Sequence, residues 1–221
     1  MGDGDGIRLV ALERDGRNVR VLLSDGEQIE LAEASLPPAL SVSGAADGQP
    51  VLDDALLVEL RAASERKRIS AEVFRMIDRR LMTRRAILRK LVDKGFSEAA
   101  ADQVLDLFAE QGLLSDRLFA EAWCRDALRT RAVGRRYLTA KLREKGIEAA
   151  LADRVAAEQL DPDLERDLAD RAADRWWSRQ RGAVDRRLLA KGMRHLQGKG
   201  FAASLAGDAI RRGAPTREEE S

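Results

Sequence analysis

The 221-residue chain has one cysteine, Cys124, and one histidine, His195. A lone cysteine excludes an internal disulfide and leaves no second thiol for a metal or redox pair. A lone histidine argues against histidine-rich metal sites and catalytic triads. Aromatic residues make up only 4% of the chain, so any core must be built from Leu, Ala, Val and Ile. No uninterrupted apolar stretch approaches the length that spans a bilayer. The amino terminus, MGDGDG, has neither a basic nor an apolar segment of the secretory kind, and a cytoplasmic protein is expected. Gly2, Gly4 and Gly6 precede the first expected strand, so they do not form a phosphate loop. Proline is missing between Pro50 and Pro162, which leaves that stretch free to be helical.

Charge is abundant, at 35% of residues, and nearly balanced, with a net of +1. Its distribution is uneven. Residues 1–60 carry 4 basic and 12 acidic residues, whereas residues 61–95 carry 12 basic and 4 acidic. The basic block suits a nucleic-acid backbone or an acidic protein surface. An arginine-rich solvated helix face accounts for it equally well.

The first 50 residues read as a small antiparallel β meander followed by a loop. Asp15-Gly16 and Asp25-Gly26 each sit between apolar alternations, the short-range signal of a hairpin. Strands are expected near 7–13, 18–23 and 27–31, and residues 35–50, with Pro37-Pro38, Gly44, Gly48 and Pro50, as loop. From Asp53 onward the apolar period becomes helical. Leu56, Leu57, Leu60 and Ala63 mark a connecting helix over 51–68, and Val73, Phe74, Ile77 and Leu81 mark the next one. Thr83 and Ser97 are placed as N-caps, and Gly95 and Gly112 as helix stops.

One pattern then recurs. Leu91-Val92-Asp93-Lys94-Gly95-Phe96, Leu142-Arg143-Glu144-Lys145-Gly146-Ile147 and Leu196-Gln197-Gly198-Lys199-Gly200-Phe201 share a Leu, a Lys-Gly pair and an apolar residue. Their glycines lie 51 and 54 residues apart. Ala101, Ala152 and Ala206 follow at matching positions, and Asp116, Phe119 and Trp123 match Asp170, Ala173 and Trp177. Such self-similarity is the mark of a repeat architecture. The lysine favours the negative end of its helix, and the glycine accepts a left-handed cap. Three-helix repeats are thus expected over 69–112, 113–160 and 161–213, with an acidic, disordered tail over 214–221. The fold class is mainly α: tandem three-helix bundles forming a curved, elongated rod, with the β meander at its start. Gly192, Gly198 and Gly207 are expected to weaken the third copy.

Trp123 and Trp177 are read as core residues. Trp176 neighbours Trp177, and adjacent helical residues do not share a face, so one of the two is expected to be more exposed and available to a partner. Cys124 is read as a structural thiol and His195 as a polar helix residue. No catalytic, metal or cofactor constellation stands out, so neither enzyme activity nor a cofactor is expected.

The repeats carry more specific matches. Ser115-Asp116-Arg117-Leu118-Phe119-Ala120-Glu121-Ala122-Trp123 resembles the (N/S)-D-x-x-F-A-x-x-(W/Y) segment of the RecX family of regulators of the RecA recombinase. Gly134, Leu138, Leu142 and Gly146-Ile147 resemble its G-x3-(I/L)-x3-L-x3-G-I segment, and Thr83, Ile87, Leu91 and Gly95-Phe96 its S-x3-L-x3-L-x3-G-F segment. Ala86 and Lys141 stand where the family usually has Glu. The resemblance implies a protein that lies in the helical groove of the RecA–DNA filament and inhibits strand exchange, ATPase and coprotease activity, in DNA repair, recombination and the SOS response. A monomer without a membrane partner is expected. Charge alone nominates the contact residues: Arg66, Lys67, Arg68, Arg79, Arg80, Arg84, Arg85 and Arg89 in a first set, and Arg129, Arg131, Arg135, Arg136, Lys141 and Arg143 in a second. The same residues could meet DNA directly, and a helical DNA-binding regulator is the alternative reading.

Overall fold

The computed structural model describes residues 6–41, 50–181 and 183–215. The chain divides into two compact units, one of residues 1–81 with 87–114, the other of residues 82–86 with 115–221.

The first unit opens on an antiparallel sheet in the order β1 (Leu9–Asp15), β2 (Asn18–Leu23), β3 (Gln28–Ala32). Gly16 and Gly26 take positive φ in the two turns, as both Asp-Gly pairs anticipate. Val19 lies opposite Leu31 and Val21 opposite Ile29, and all four are buried. They pack on Leu57, Leu60 and Ala63 of helix α2 (Asp54–Arg79), which gives the small sheet the covering layer it needs. Part of the expected loop over 35–50 is helical. A 3-10 turn (Glu33–Ser35) leads to a one-turn helix, α1 (Pro38–Ser41), which Pro38 opens and which buries Leu40. Residues 42–49 of that loop lie outside the described residues.

Helix α2 corrects the expected division at residue 68. It runs unbroken through 26 residues because no Gly or Pro interrupts it, and Asp53 caps it by accepting from the Leu56 amide at 2.7 Å. Its later half buries Val73 but leaves Phe74 51% exposed, its ring centroid 4.7 Å from that of Phe108. Leu81 lies beyond the helix and is 57% exposed. Helix α3 (Arg84–Asp93) and helix α4 (Glu98–Glu110) follow, with Thr83 and Ser97 at their N-caps as expected.

The second unit holds helices α5 (Asp116–Thr130), α6 (Arg135–Glu144), α7 (Ala149–Gln159), α8 (Pro162–Trp177), α9 (Arg186–Gly198) and α10 (Ala203–Arg212) around one continuous core. The recurrent motif is one recurrent structure. Gly95, Gly146 and Gly200 have φ of 87°, 90° and 89°. The amides of Phe96, Ile147 and Phe201 reach back to the carbonyls of Leu91, Leu142 and Leu196 at 3.1, 3.1 and 3.3 Å, the Schellman arrangement.

Inside the second unit these caps also join elements together. Thr83 Oγ1 donates to the Lys145 carbonyl at 2.9 Å, so the end of α6 sits on the start of α3. In the same way the Gly134 amide donates to the Lys199 carbonyl at 2.9 Å and the Arg136 amide to the Gly200 carbonyl at 3.2 Å, so the end of α9 sits on the start of α6. A carboxylate completes each joint: Asp116 accepts from the Arg84 amide and Glu165 from the Arg135 amide, both at 2.8 Å. Orphan helix-start amides and helix-end carbonyls thereby satisfy one another.

The third copy is better packed than its glycines suggest. Gly192 is buried, and a Cβ there would lie 2.8 Å from Ile210 Cδ1 and 2.9 Å from Trp176 Cζ3. The missing side chain is what lets the Trp176 indole in. Trp176 and Trp177 are 6% and 8% exposed, which corrects the expectation that one of them faces solvent. Helix α8 packs against both α9 and α10, so two adjacent positions find cover on different neighbours. Trp177 Nε1 donates to the Ile210 carbonyl at 3.1 Å. Of the expected tail, Ala214 packs on the core, and residues 216–221 lie outside the described residues.

Candidate functional site

The first basic set is divided between the two units. Arg66, Lys67, Arg68, Arg79 and Arg80 follow α2, with Arg89 in the same unit, while Arg84 and Arg85 belong to the other. Several are already occupied. Lys67 pairs with Glu30 at 3.3 Å, and the Arg68 guanidinium lies 5.4 Å from the Phe96 ring centroid. The Arg85 side-chain stem passes so close to Gly146 that a Cβ there would fall 2.5 Å from Arg85 Cδ. Arg79, Arg80 and Arg89 are exposed and form no ion pair among the described residues.

The second set gathers around α6, on two sides of it. Arg135, Arg136 and Arg143 line a cleft of about 470 Å³ with Thr139, Asp153 and Glu165. Its charge is largely satisfied internally: Arg143 meets Asp153 at 2.7 Å, and Arg135 donates to the Leu160 carbonyl at 3.0 Å and faces Glu165. Arg129, Arg131 and Lys141 line a second cleft, of about 640 Å³, together with Trp123, Tyr137, Asp126, Glu144 and Lys145.

This second cleft has an aromatic floor under a charged rim. Lys145 Nζ lies 5.5 Å from the Trp123 ring centroid and Lys141 Nζ 6.0 Å from that of Tyr137. Arg131 Nη1 donates to the Tyr137 hydroxyl at 2.8 Å. Lys141 pairs with Glu144 at 2.6 Å, and this bond raises the affinity of its amine for the proton. Arg129 pairs with Asp126 at 3.4 Å. Trp123 is only partly buried, unlike Trp177. Charge counting alone missed Lys145 and both rings. The signal for Tyr137 and Lys145 was the spacing Tyr137-x3-Lys141-x3-Lys145, one stripe along the helix and its end, which the cap role of Lys145 had absorbed.

Cys124 and His195 are the two remaining candidates for chemistry. Cys124 is buried in the core, and burial pushes its thiol up to about 11. His195 is held below its ordinary value by partial burial and then by Lys199 and Arg179, which favours the neutral ring. Among the described residues, no helix is long and apolar enough to cross a membrane.

Comparison with known proteins agrees with this architecture. Residues 71–106 match the RecX first three-helix domain and residues 115–155 the RecX second three-helix domain. The regulatory protein RecX of Streptomyces coelicolor is 34% identical over 139 residues, covering 63% of this chain and 73% of that protein. That of Corynebacterium efficiens is 32% identical over 169 residues, covering 72% and 79%. Among solved structures, a crystal structure of regulatory protein RecX has a TM-score of 0.73 at 22% identity, covering 93% of this chain and 99% of that one. RecX from Lactobacillus salivarius has a TM-score of 0.63 at 20% identity, covering 68% and 97%. On sequence, structure and relatives together, the chain belongs to the RecX family of regulatory proteins.

Proposed function

We propose that this chain is a non-catalytic regulator that binds the RecA–DNA filament in its helical groove and inhibits strand exchange, ATPase and coprotease activity. It would act in the cytoplasm, as a monomer, through three units over 69–112, 113–160 and 161–213. The observation that carries the reading is the repeated cap joint, at Thr83–Lys145 and again at Gly134–Lys199. It is the kind of stacking by which similar units present similar faces at regular intervals. Repeated weak contacts on one body add through effective concentration, which suits a lattice of identical subunits. The exposed arginines Arg79, Arg80 and Arg85, and the clefts beside α6, are the surfaces proposed for contact.

The test is a titration of RecA-driven strand exchange with the purified chain and with an Arg79→Glu/Arg80→Glu/Arg85→Glu variant. Inhibition at well below one chain per recombinase subunit is expected for the wild type, and weaker inhibition for the variant. Strand exchange untouched at equimolar chain would sink the reading. Equal inhibition by both proteins would reject this choice of arginines alone.

A further inference from the structure

We infer that the cleft floored by Trp123 and Tyr137 is a protein-docking site, which takes an acidic segment of the partner carrying an apolar or aromatic side chain beside its carboxylate. The inference rests on the proposed function and assigns its anchoring surface.

Three observations converge on it. The first is a comparison between two tryptophans. The chain covers Trp123 of α5 and Trp177 of α8 differently. Trp177 is buried, donates its indole N–H to the Ile210 carbonyl, and lies against Gly213, where a Cβ would be 3.2 Å from Trp177 Cδ1. Trp123 is partly open, and its indole N–H meets no acceptor among the described residues. A core-filling role accounts for the first tryptophan and leaves a donor and part of a ring unused at the second. Tryptophan, tyrosine and arginine together are the residues that most often dominate protein interfaces.

The second is charge. Of the four cations at the cleft, Lys141 and Arg129 are neutralised by Glu144 and Asp126. Arg131 and Lys145 form no ion pair among the described residues; Arg131 donates to the Tyr137 hydroxyl and Lys145 lies over the Trp123 ring. The unbalanced charge is therefore positive and sits directly beside the rings. An incoming carboxylate would meet it while the adjacent side chain enters between Trp123 and Tyr137.

The third decides between classes of partner. A nucleic-acid strand brings phosphates to every position along its track, and here it would run past Asp126 and Glu144 on the same rim. A peptide places its negative charge at one point and tolerates a mixed rim.

The test compares wild type with Arg131→Glu, Lys145→Glu and Trp123→Phe, the last keeping a ring and removing the indole donor. Arg171→Glu, an exposed change on α8, serves as the control. Thermal melts establish that each variant is folded. Binding is read by anisotropy against RecA filament on single-stranded DNA, and separately against a labelled single-stranded oligonucleotide alone. We expect filament affinity to fall about 10- to 100-fold in the two charge reversals and several-fold in Trp123→Phe. Arg171→Glu should stay within twofold, and oligonucleotide binding should be unchanged throughout. Wild-type filament affinity retained by all three cleft variants overturns the inference and leaves the proposed function standing. Parallel loss of oligonucleotide affinity makes the cleft a nucleic-acid track and overturns it as well. A wild type that ignores the filament overturns the proposed function, and this inference with it.

Discussion

Replacing each cap glycine with alanine should give three different costs from one sequence motif. Every such change puts a Cβ on a residue with φ near 90°, a conformation that costs an L residue about 1–2 kcal/mol. At Gly95 that is the whole effect, because an added Cβ has nothing within 4 Å. At Gly146 the Cβ would fall 2.5 Å from Arg85 Cδ and 2.7 Å from Arg85 Cβ. An exposed arginine can move its outer atoms but not its Cβ, so we expect roughly 1 kcal/mol more, at the low end of overpacking costs. At Gly200 the Cβ would fall 2.3 Å from the Tyr137 amide nitrogen and 2.8 Å from its Cα. Backbone cannot step aside without breaking the joint with α6 and its bonds at 2.9 and 3.2 Å. With the φ cost, overpacking of about 1–3 kcal/mol and two hydrogen bonds at about 1 kcal/mol each bring Gly200→Ala to roughly 4–7 kcal/mol, much of a typical domain's stability. Urea unfolding is the assay. Far-UV circular dichroism reads the whole chain, and tryptophan fluorescence reads the second unit, which holds Trp123, Trp176 and Trp177. The expected order is Gly95→Ala least, Gly146→Ala next, Gly200→Ala most. Equal costs at Gly95 and Gly200, or a Gly200→Ala cost near 1 kcal/mol, would refute the joint as an energetic feature and leave only the φ argument.

Other changes follow from the same packing. Gly192→Ala should destabilise by about 1–3 kcal/mol despite alanine's better helix propensity, because Trp176 and Ile210 fill the space. Gly198→Ala, with open space around it, should instead stabilise by up to about 1 kcal/mol; calorimetry of the pair checks both signs. Thr83→Val removes a hydroxyl that is 1% exposed and bonded to both the Lys145 carbonyl and the Ala86 amide, so a loss of about 1–3 kcal/mol is expected in urea titration. Cys124 should resist thiol reagents in the folded chain. With the folded thiol near 11, the unfolded state binds fewer protons between its ordinary value near 9 and that point, so stability falls as pH rises through this window. Cys124→Ala should flatten that part of the pH–stability curve, and an unchanged slope would show that other groups carry it.

The elements that were legible from sequence were those whose signal is local. Asp-Gly turns, the Thr83 and Ser97 caps and the Lys-Gly endings each declare themselves within a few residues, and each is where it was expected. What failed depended on which neighbour covers a face. Periodicity placed Phe74 with Val73, but the neighbouring helix covers only one side of α2. Trp176 and Trp177 point in different directions, and sequence could not show that α9 and α10 would cover both. Gly192 read as a weakness because propensity is a property of the helix alone, whereas its use lies in the indole beside it. The cleft was half visible. Arg129, Arg131 and Lys141 were nominated by charge, but their grouping with Trp123 and Lys145 needed the turn between α5 and α6.

The cap joint also gives the array a polarity and an end. The caps at Gly146 and Gly200 are plugs that each fit the start of an earlier middle helix, so both joints run in one direction. The first plug, at Gly95, meets nothing within reach of an added Cβ. At the start of α9 a carboxylate stands in place of a donor: Asp185 accepts from the Leu188 amide at 2.7 Å and has no hydroxyl to offer a carbonyl as Thr83 does. A fourth unit fused after residue 213 would bring a carbonyl towards that carboxylate and be repelled. Exchanging Asp185 for Gly or Thr, the residues that stand at the two working sockets, is the change that would let the array grow.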